Sequence, residues 1–241
     1  YDWNNSFSSK NSPLGISFQQ RFDRSFHLAK EEDRGFTKDL IIALDSVILD
    51  YRRLDYDVIE VTLPQPIETD SLTLNLTYTL KLPSNKFTGY GIDEDEALWL
   101  KNSFILPIPL EEAKHEIYHH YNRGNQHTGL VHYSISFDRG ANHFIHSDLA
   151  SNSYFYFYGI TATPPLIVID HNDSSLLHYT TPKWSVHLDS KMAKNLVDPI
   201  QTLERLIAFT NQVSPMLDTS NLVLTYSEYN ESPIQLVTDI P

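Results

Sequence analysis

The chain has 241 residues, 41% of them hydrophobic, enough to bury the core of one large domain or of one domain with part of a second. Its 18 Lys and Arg against 31 Asp and Glu give a net charge of -13, and no basic run exceeds the pair Arg52–Arg53, so phosphate backbones and anionic membrane surfaces are disfavoured as partners. The absence of cysteine excludes disulfides, thiolate chemistry and cysteine-ligated zinc.

Residues 1–15 are polar and rich in Ser and Asn, and read as a flexible leader. From Ile16 the hydrophobic period becomes two. Ile16, Phe18 and Gln20 lead to Phe26 and Leu28, then to Leu40, Ile42 and Leu44, to Val47, Leu49 and Tyr51, and to Val58, Glu60 and Thr62. Such alternation predicts half-buried strands. The clearest strand is Ser71–Leu82, with Leu72, Leu74, Leu76, Tyr78, Leu80 and Leu82 on one face and Thr73, Asn75, Thr77, Thr79 and Lys81 on the other. Pro64, Pro66 and Pro83 bound it, because proline cannot donate to a ladder. Further strands are predicted at Val131–Phe137, Tyr154–Ile160, Leu166–Ile169 and Trp184–Leu188. The aromatic run Tyr154–Tyr158 reads as a strand with both faces covered, against the alternative of a stacking surface for sugar or peptide.

The pattern changes near residue 190. Asp198, Pro199 and Gln201 have the signature of a helix N-terminus: an acidic cap, proline at the first helical position and a Gln that can reach back. Ile200, Leu203, Leu206, Ile207 and Phe209 then recur at helical spacing, Pro215 follows, and Leu222, Leu224 and Tyr226 alternate again. The expected organisation is a leader at 1–15, a β domain at 16–190, and at 191–241 the beginning of an α/β domain. The fold class is mostly β, a sandwich or saddle of antiparallel sheets. No stretch reaches the roughly 18 consecutive apolar residues that span a bilayer.

One motif carries chemistry on its face. His115-Glu116-Ile117-Tyr118-His119 matches H-E-x-x-H, which on a helix sets two histidines at i and i+4 to ligate zinc, with the glutamate as general base on a metal-bound water. Asp138, nineteen residues after His119, stands where a third ligand would be sought. Against this, the presumptive helix has few apolar residues, and Asp138 ends the alternating run Val131–Phe137 and so belongs with a strand. A solvated turn is the default for 115–119. The expectation is therefore no catalytic, cofactor or metal residue in this chain, with His115, His119 and Asp138 as the alternative ligand set and Glu116 as its base. With 8 glycines and no Walker lysine or G-x-S-x-G elbow, nucleotide and serine-hydrolase chemistry have no support.

The stretch Leu72–Pro107 resembles the aminopeptidase N family of zinc metallopeptidases, in particular its divergent Bacteroidetes members. The strand Leu74–Tyr78, the loop Pro83–Gly91 with Phe87 and Tyr90, and Trp99-Leu100-Lys101-Asn102 leading to Pro107 carry the likeness. The helix from Pro199 and the strand from Leu222 are similar to the first helix and edge strand of that family's thermolysin-like catalytic domain. The chain departs from the pattern at Ser214-Pro215 and at Ser232-Pro233-Ile234-Gln235, where the family has Tyr-Pro and G-x-M-E-N. The resemblance implies a non-catalytic N-terminal β domain that packs on a catalytic domain lying beyond residue 241 and shapes its cleft. It also implies zinc only in that downstream domain, a peptide substrate as further partner, and a periplasmic, cell-surface or secreted setting with a signal peptide removed. Two other readings stay open: a carbohydrate- or peptide-binding β module built on Tyr154–Tyr158, Trp99 and Trp184, and a self-contained zinc hydrolase using residues 115–119.

Overall fold

The computed structural model describes residues 19–20, 22, 28–54, 58–66, 71–86, 89–101, 103–107, 130–138, 143–161, 164–171, 175–180, 185–213 and 221–224. The chain is mostly β, with several antiparallel sheets in a sandwich-like arrangement and one long helix near the C-terminus. It forms two compact units, residues 1–84 with 102–128, and residues 85–101 with 129–241. No helix among the described residues is long and apolar enough to cross a membrane.

In the first unit, β1 (Phe36–Leu44) lies between β2 (Val47–Ile48) and β5 (Leu74–Lys81), both antiparallel to it, and β3 (Tyr51–Arg53) pairs with β4 (Ile59–Val61). The alternation predicted for β5 holds: Leu74, Leu76, Tyr78 and Leu80 turn inward while Asn75, Thr77 and Thr79 are exposed. β1 alternates in the same way from Leu40 to Ile42, but Thr37 is also buried, three residues before Leu40. A register shift between Lys38 and Ile41, with Asp39 at φ 54°, is a β-bulge that resets the phase so that both ends face one core. Leu40, Ile42 and Leu49 are buried there, packed by Leu44, Ile59, Val61, Leu74, Leu76, Tyr78 and Ile105.

In the second unit, β6 (Gly91–Ile92), β7 (Leu98–Leu100), β12 (Ile167–Asp170) and β9 (Phe144–Ser147) form one antiparallel sheet in the order β6-β7-β12-β9. β8 (Val131–Ser136), β10 (Ala150–Ser153) and β11 (Tyr156–Thr161) form a second, and β13 (Leu176–Thr180), β14 (Ser185–Asp189) and β15 (Asn221–Leu224) a third. Between β14 and β15 run α1 (Ser190–Lys194) and α2 (Pro199–Val213). β13 and β14 are antiparallel while β14 and β15 are parallel, so the third sheet is mixed and contains a β-α-β crossover.

The helix begins as the sequence predicts. Asp198 Oδ1 accepts from the Gln201 amide at 2.9 Å and its carbonyl accepts from the Thr202 amide at 3.0 Å, with Pro199 in the first helical position. Leu203, Leu206 and Ile207 pack with Val186, Leu188 and Ala193. Phe209, included in the predicted apolar face, is instead exposed, because six residues from Leu203 carry it ~120° round the axis. Ile200, in the first turn, is exposed too.

Two other expectations are corrected. Of the alternation expected from Ile16 to Gln20, only Gln19 and Gln20 are described, and both are helical, so the strand does not reach them. Tyr154–Tyr158 is not covered on both faces. Tyr154 lies in the β10–β11 turn and is exposed, as is Tyr158; only Phe157, facing the other way, is buried, 6.1 Å from the Phe137 ring. The leader at 1–15, Ile16, Phe18, Phe26, Trp184 and Tyr226 lie outside the described residues.

The β6–β7 turn carries the acidic run Asp93–Glu96. Asp93 is buried, and its Oδ1 accepts from the amides of Asp95 and Ala97, both at 2.9 Å, while Oδ2 accepts from the Trp99 indole N–H at 3.1 Å. One carboxylate thus closes the turn and orients the central aromatic of the second unit. Asp93→Ala should strand three donors and lower stability by about 2–3 kcal/mol, read as a fall in the urea midpoint. Asp93→Asn, which keeps one acceptor oxygen, should lose less.

Candidate functional site

The sheets of the second unit use strand alternation to assign each face. On β14, Val186 and Leu188 turn to the helices and are fully buried, which sends Ser185, His187 and Asp189 to the opposite face. His187 is in register with His178 on β13 and with Val223 on β15, so these three side chains form one row across the sheet. On the β6-β7-β12-β9 sheet, Val168 is in register with Trp99 on one side and with His146 on the other, a second row. Trp99, Val168, Leu176 and Val223 share one buried cluster with Tyr90, Ala97 and Leu166. Two rows therefore meet over one apolar core, and each row brings its histidines to it.

His146, His178 and His187 converge there. The three rings have centroids 4.8 to 4.9 Å apart, and each offers a ring nitrogen within 4.8 Å of the others. His178 and His187 touch directly, Nδ1 to Nδ1, at 2.8 Å. The far side of the His187 ring is held too, with Nε2 3.3 Å from Ser185 Oγ. His146 and His187 are half-buried and His178 is exposed.

Beside the triad lies an open pocket of about 390 Å³. His146, His187 and Ser185 form one wall, and Ser147, Ser151, Asn152, Ser153 and Tyr154 line it with Leu149 and Phe157. Ser147 is turned to structural work: its hydroxyl donates to the Leu166 carbonyl at 2.9 Å and accepts from the Leu149 amide at 3.2 Å. Asp148 Oδ1 accepts from the Leu166 amide at 3.1 Å, so the β9–β10 turn is tied to the start of β12.

The residues singled out from sequence do not meet here. His115, Glu116 and His119 lie outside the described residues. Asp138 is exposed, two residues past the end of β8 and so in neither the expected strand nor a helix. Trp99 is buried under the Asp93 turn and does not face solvent, which removes it from any stacking surface. The tyrosine surface is present in part: Tyr156 and Tyr158 stack at 5.9 Å on the outer face of β11, and the Tyr156 hydroxyl is 2.9 Å from Ser134 Oγ. Sequence reasoning missed the histidine triad. Its one legible trace is the pair His178 and His187, nine residues apart with Pro182 between them.

No family model, curated protein or solved structure matches this chain.

On the helix side of the third sheet, Tyr179 donates to Glu204 Oε1 of α2 at 2.7 Å. That bond, then desolvation and the carboxylate's charge, raises the tyrosine hydroxyl above its ordinary value near 10. A raised folded-state value means the contact stabilises below the unfolded tyrosine range and loses that contribution as pH rises through the folded value. Urea midpoints measured from about pH 9 to 11 should therefore fall less steeply for Tyr179→Phe than for the unmodified chain.

Proposed function

We propose that this chain is the non-catalytic N-terminal β region of an aminopeptidase N-like metallopeptidase, a scaffold that packs on and shapes the cleft of a neighbouring catalytic domain. The observation that carries this reading is the third sheet of the second unit. Two antiparallel strands, β13 and β14, are followed by a capped helix and by β15, which returns parallel to β14. A parallel return over a helix is how an α/β layer begins, whereas the other strand pairs among the described residues are antiparallel. It occurs at the helix and strand that resemble the start of the thermolysin-like domain in that family.

Two features of the Leu72–Pro107 stretch support the same reading. Leu74–Tyr78 falls within β5, and Trp99 falls in β7, held by Asp93. The catalytic zinc and the hydrolysis then belong to residues outside this chain, and the setting is periplasmic, cell-surface or secreted.

A second reading rests on Tyr154, Tyr156 and Tyr158. Tyr154 is 83% exposed and lines a pocket rich in Ser and Asn, while Tyr158, 44% exposed, stacks with Tyr156 on the outer face of β11; an apolar ring with polar groups beside it suits a sugar or an extended peptide.

The scaffold reading expects the purified 241-residue chain to leave aminoacyl-anilides intact, with Glu116→Gln indistinguishable from the unmodified chain. Hydrolysis by this chain that disappears in Glu116→Gln would overturn it and install residues 115–119 as a zinc centre. Weaker retention of oligosaccharides by Tyr154→Ala and Tyr158→Ala in affinity electrophoresis would favour the binding module.

A further inference from the structure

The geometry points to His146, His178 and His187 as a binding site for a divalent transition-metal ion, zinc above all, with an open coordination position facing the adjoining pocket. This goes beyond the scaffold reading and does not depend on it.

The first argument is convergence. The three imidazoles come from β9, β13 and β14, separated by up to 41 positions in sequence, and are brought together by two independent strand registers. A zinc ion held by nitrogens at about 2.0–2.1 Å in a tetrahedron sets those nitrogens about 3.4 Å apart. The spacings in the triad, 2.8 Å between the two Nδ1 atoms and no more than 4.8 Å among the three ligand nitrogens, bracket that value.

Proton accounting is the second argument. Either assignment of tautomers to the His178–His187 contact puts one hydrogen between the two Nδ1 atoms. An ion ligated by both nitrogens takes the place of that hydrogen, which moves to the Nε2 of its own ring, so both imidazoles stay neutral. Ser185 Oγ, at 3.3 Å from His187 Nε2, is placed to hold the proton on that outer nitrogen and so aim Nδ1 at the ion.

Charge and access give the third. Among the described residues the group is three histidines with no carboxylate, and these three ligands would leave the bound ion its double positive charge. Three neutral ligands with a fourth position left to water are the donor set of an open zinc site, not of a closed structural one. His146 and His187 both line the pocket of about 390 Å³, so that position has room for water or a small anion. Imidazole donors select zinc, copper, nickel or cobalt over magnesium and calcium.

The test uses the full chain without a histidine tag, stripped with chelator and titrated with Zn²⁺ and with Co²⁺. We expect one ion per chain and a micromolar or tighter Kd. A rise in Tm of about 5 °C at hundredfold excess over Kd is expected as well. His187→Ala and His178→Gln should each weaken binding by a factor of 10 to 100 or more, while His115→Ala/His119→Ala and His171→Ala leave it unchanged. Co²⁺ should give a tetrahedral visible spectrum that shifts on adding azide, reporting the open position. If alanine variants fail to fold, X-ray absorption on the zinc-loaded unmodified chain decides the matter, with three imidazole nitrogens and one light-atom ligand expected. No binding tighter than about 100 μM in a folded chain overturns the proposal. So does tight binding that survives in the His146/His178/His187 triple variant, or that is lost with His115 and His119.

Discussion

Strand alternation at β14 governs the second unit. Val186 and Leu188 are drawn to the helices because burial of branched aliphatic side chains is worth ~1.5–3 kcal/mol each, and the backbone pleat then has no choice about His187. Hydrogen-bond register does the rest. It sets His178 opposite His187 on one side and Val223 on the other, and a matching row, Trp99, Val168 and His146, runs across the partner sheet. The apolar members of both rows make the core, and the imidazoles extend it. The polar cluster is thus a by-product of the same burial that holds the sheets together.

Much of this architecture is readable from residues. The twelve-residue alternation around β5 and the Asp198-Pro199 cap each report a local rule, and local rules survive in the structure. What fails is what depends on neighbours. Phe209 satisfies an approximate helical count but misses the packed stripe, and the Tyr154–Tyr158 run has β propensity on both faces but only one partner layer. The bulge at Asp39 is similarly silent, since its effect is a phase shift that looks in sequence like a broken pattern.

The two histidine groups show why site and sequence diverge. His115 and His119 stand out because a motif compresses zinc geometry into five residues, and a chain with 11 histidines can meet it by composition. His146, His178 and His187 have no such spacing. Their proximity exists only after β9 pairs with β12 and β13 folds back on β14, and neither register follows from alternation, which is blind to a shift of two residues.

The triad also differs from a loop-borne cluster in how firmly it is built. His187 is flanked by two fully buried residues on a central strand, paired on both sides, so it cannot slide without exposing Val186 and Leu188. Its ring is further held through Ser185. His146 occupies the outer strand of its sheet, where a half-buried ring can turn, and His178 is exposed. One fixed ligand and two adjustable ones is an arrangement that tolerates several ionic radii but keeps the position of the ion constant. A rigid strand next to a polar pocket is where a bound ion would be held most reproducibly against whatever enters beside it.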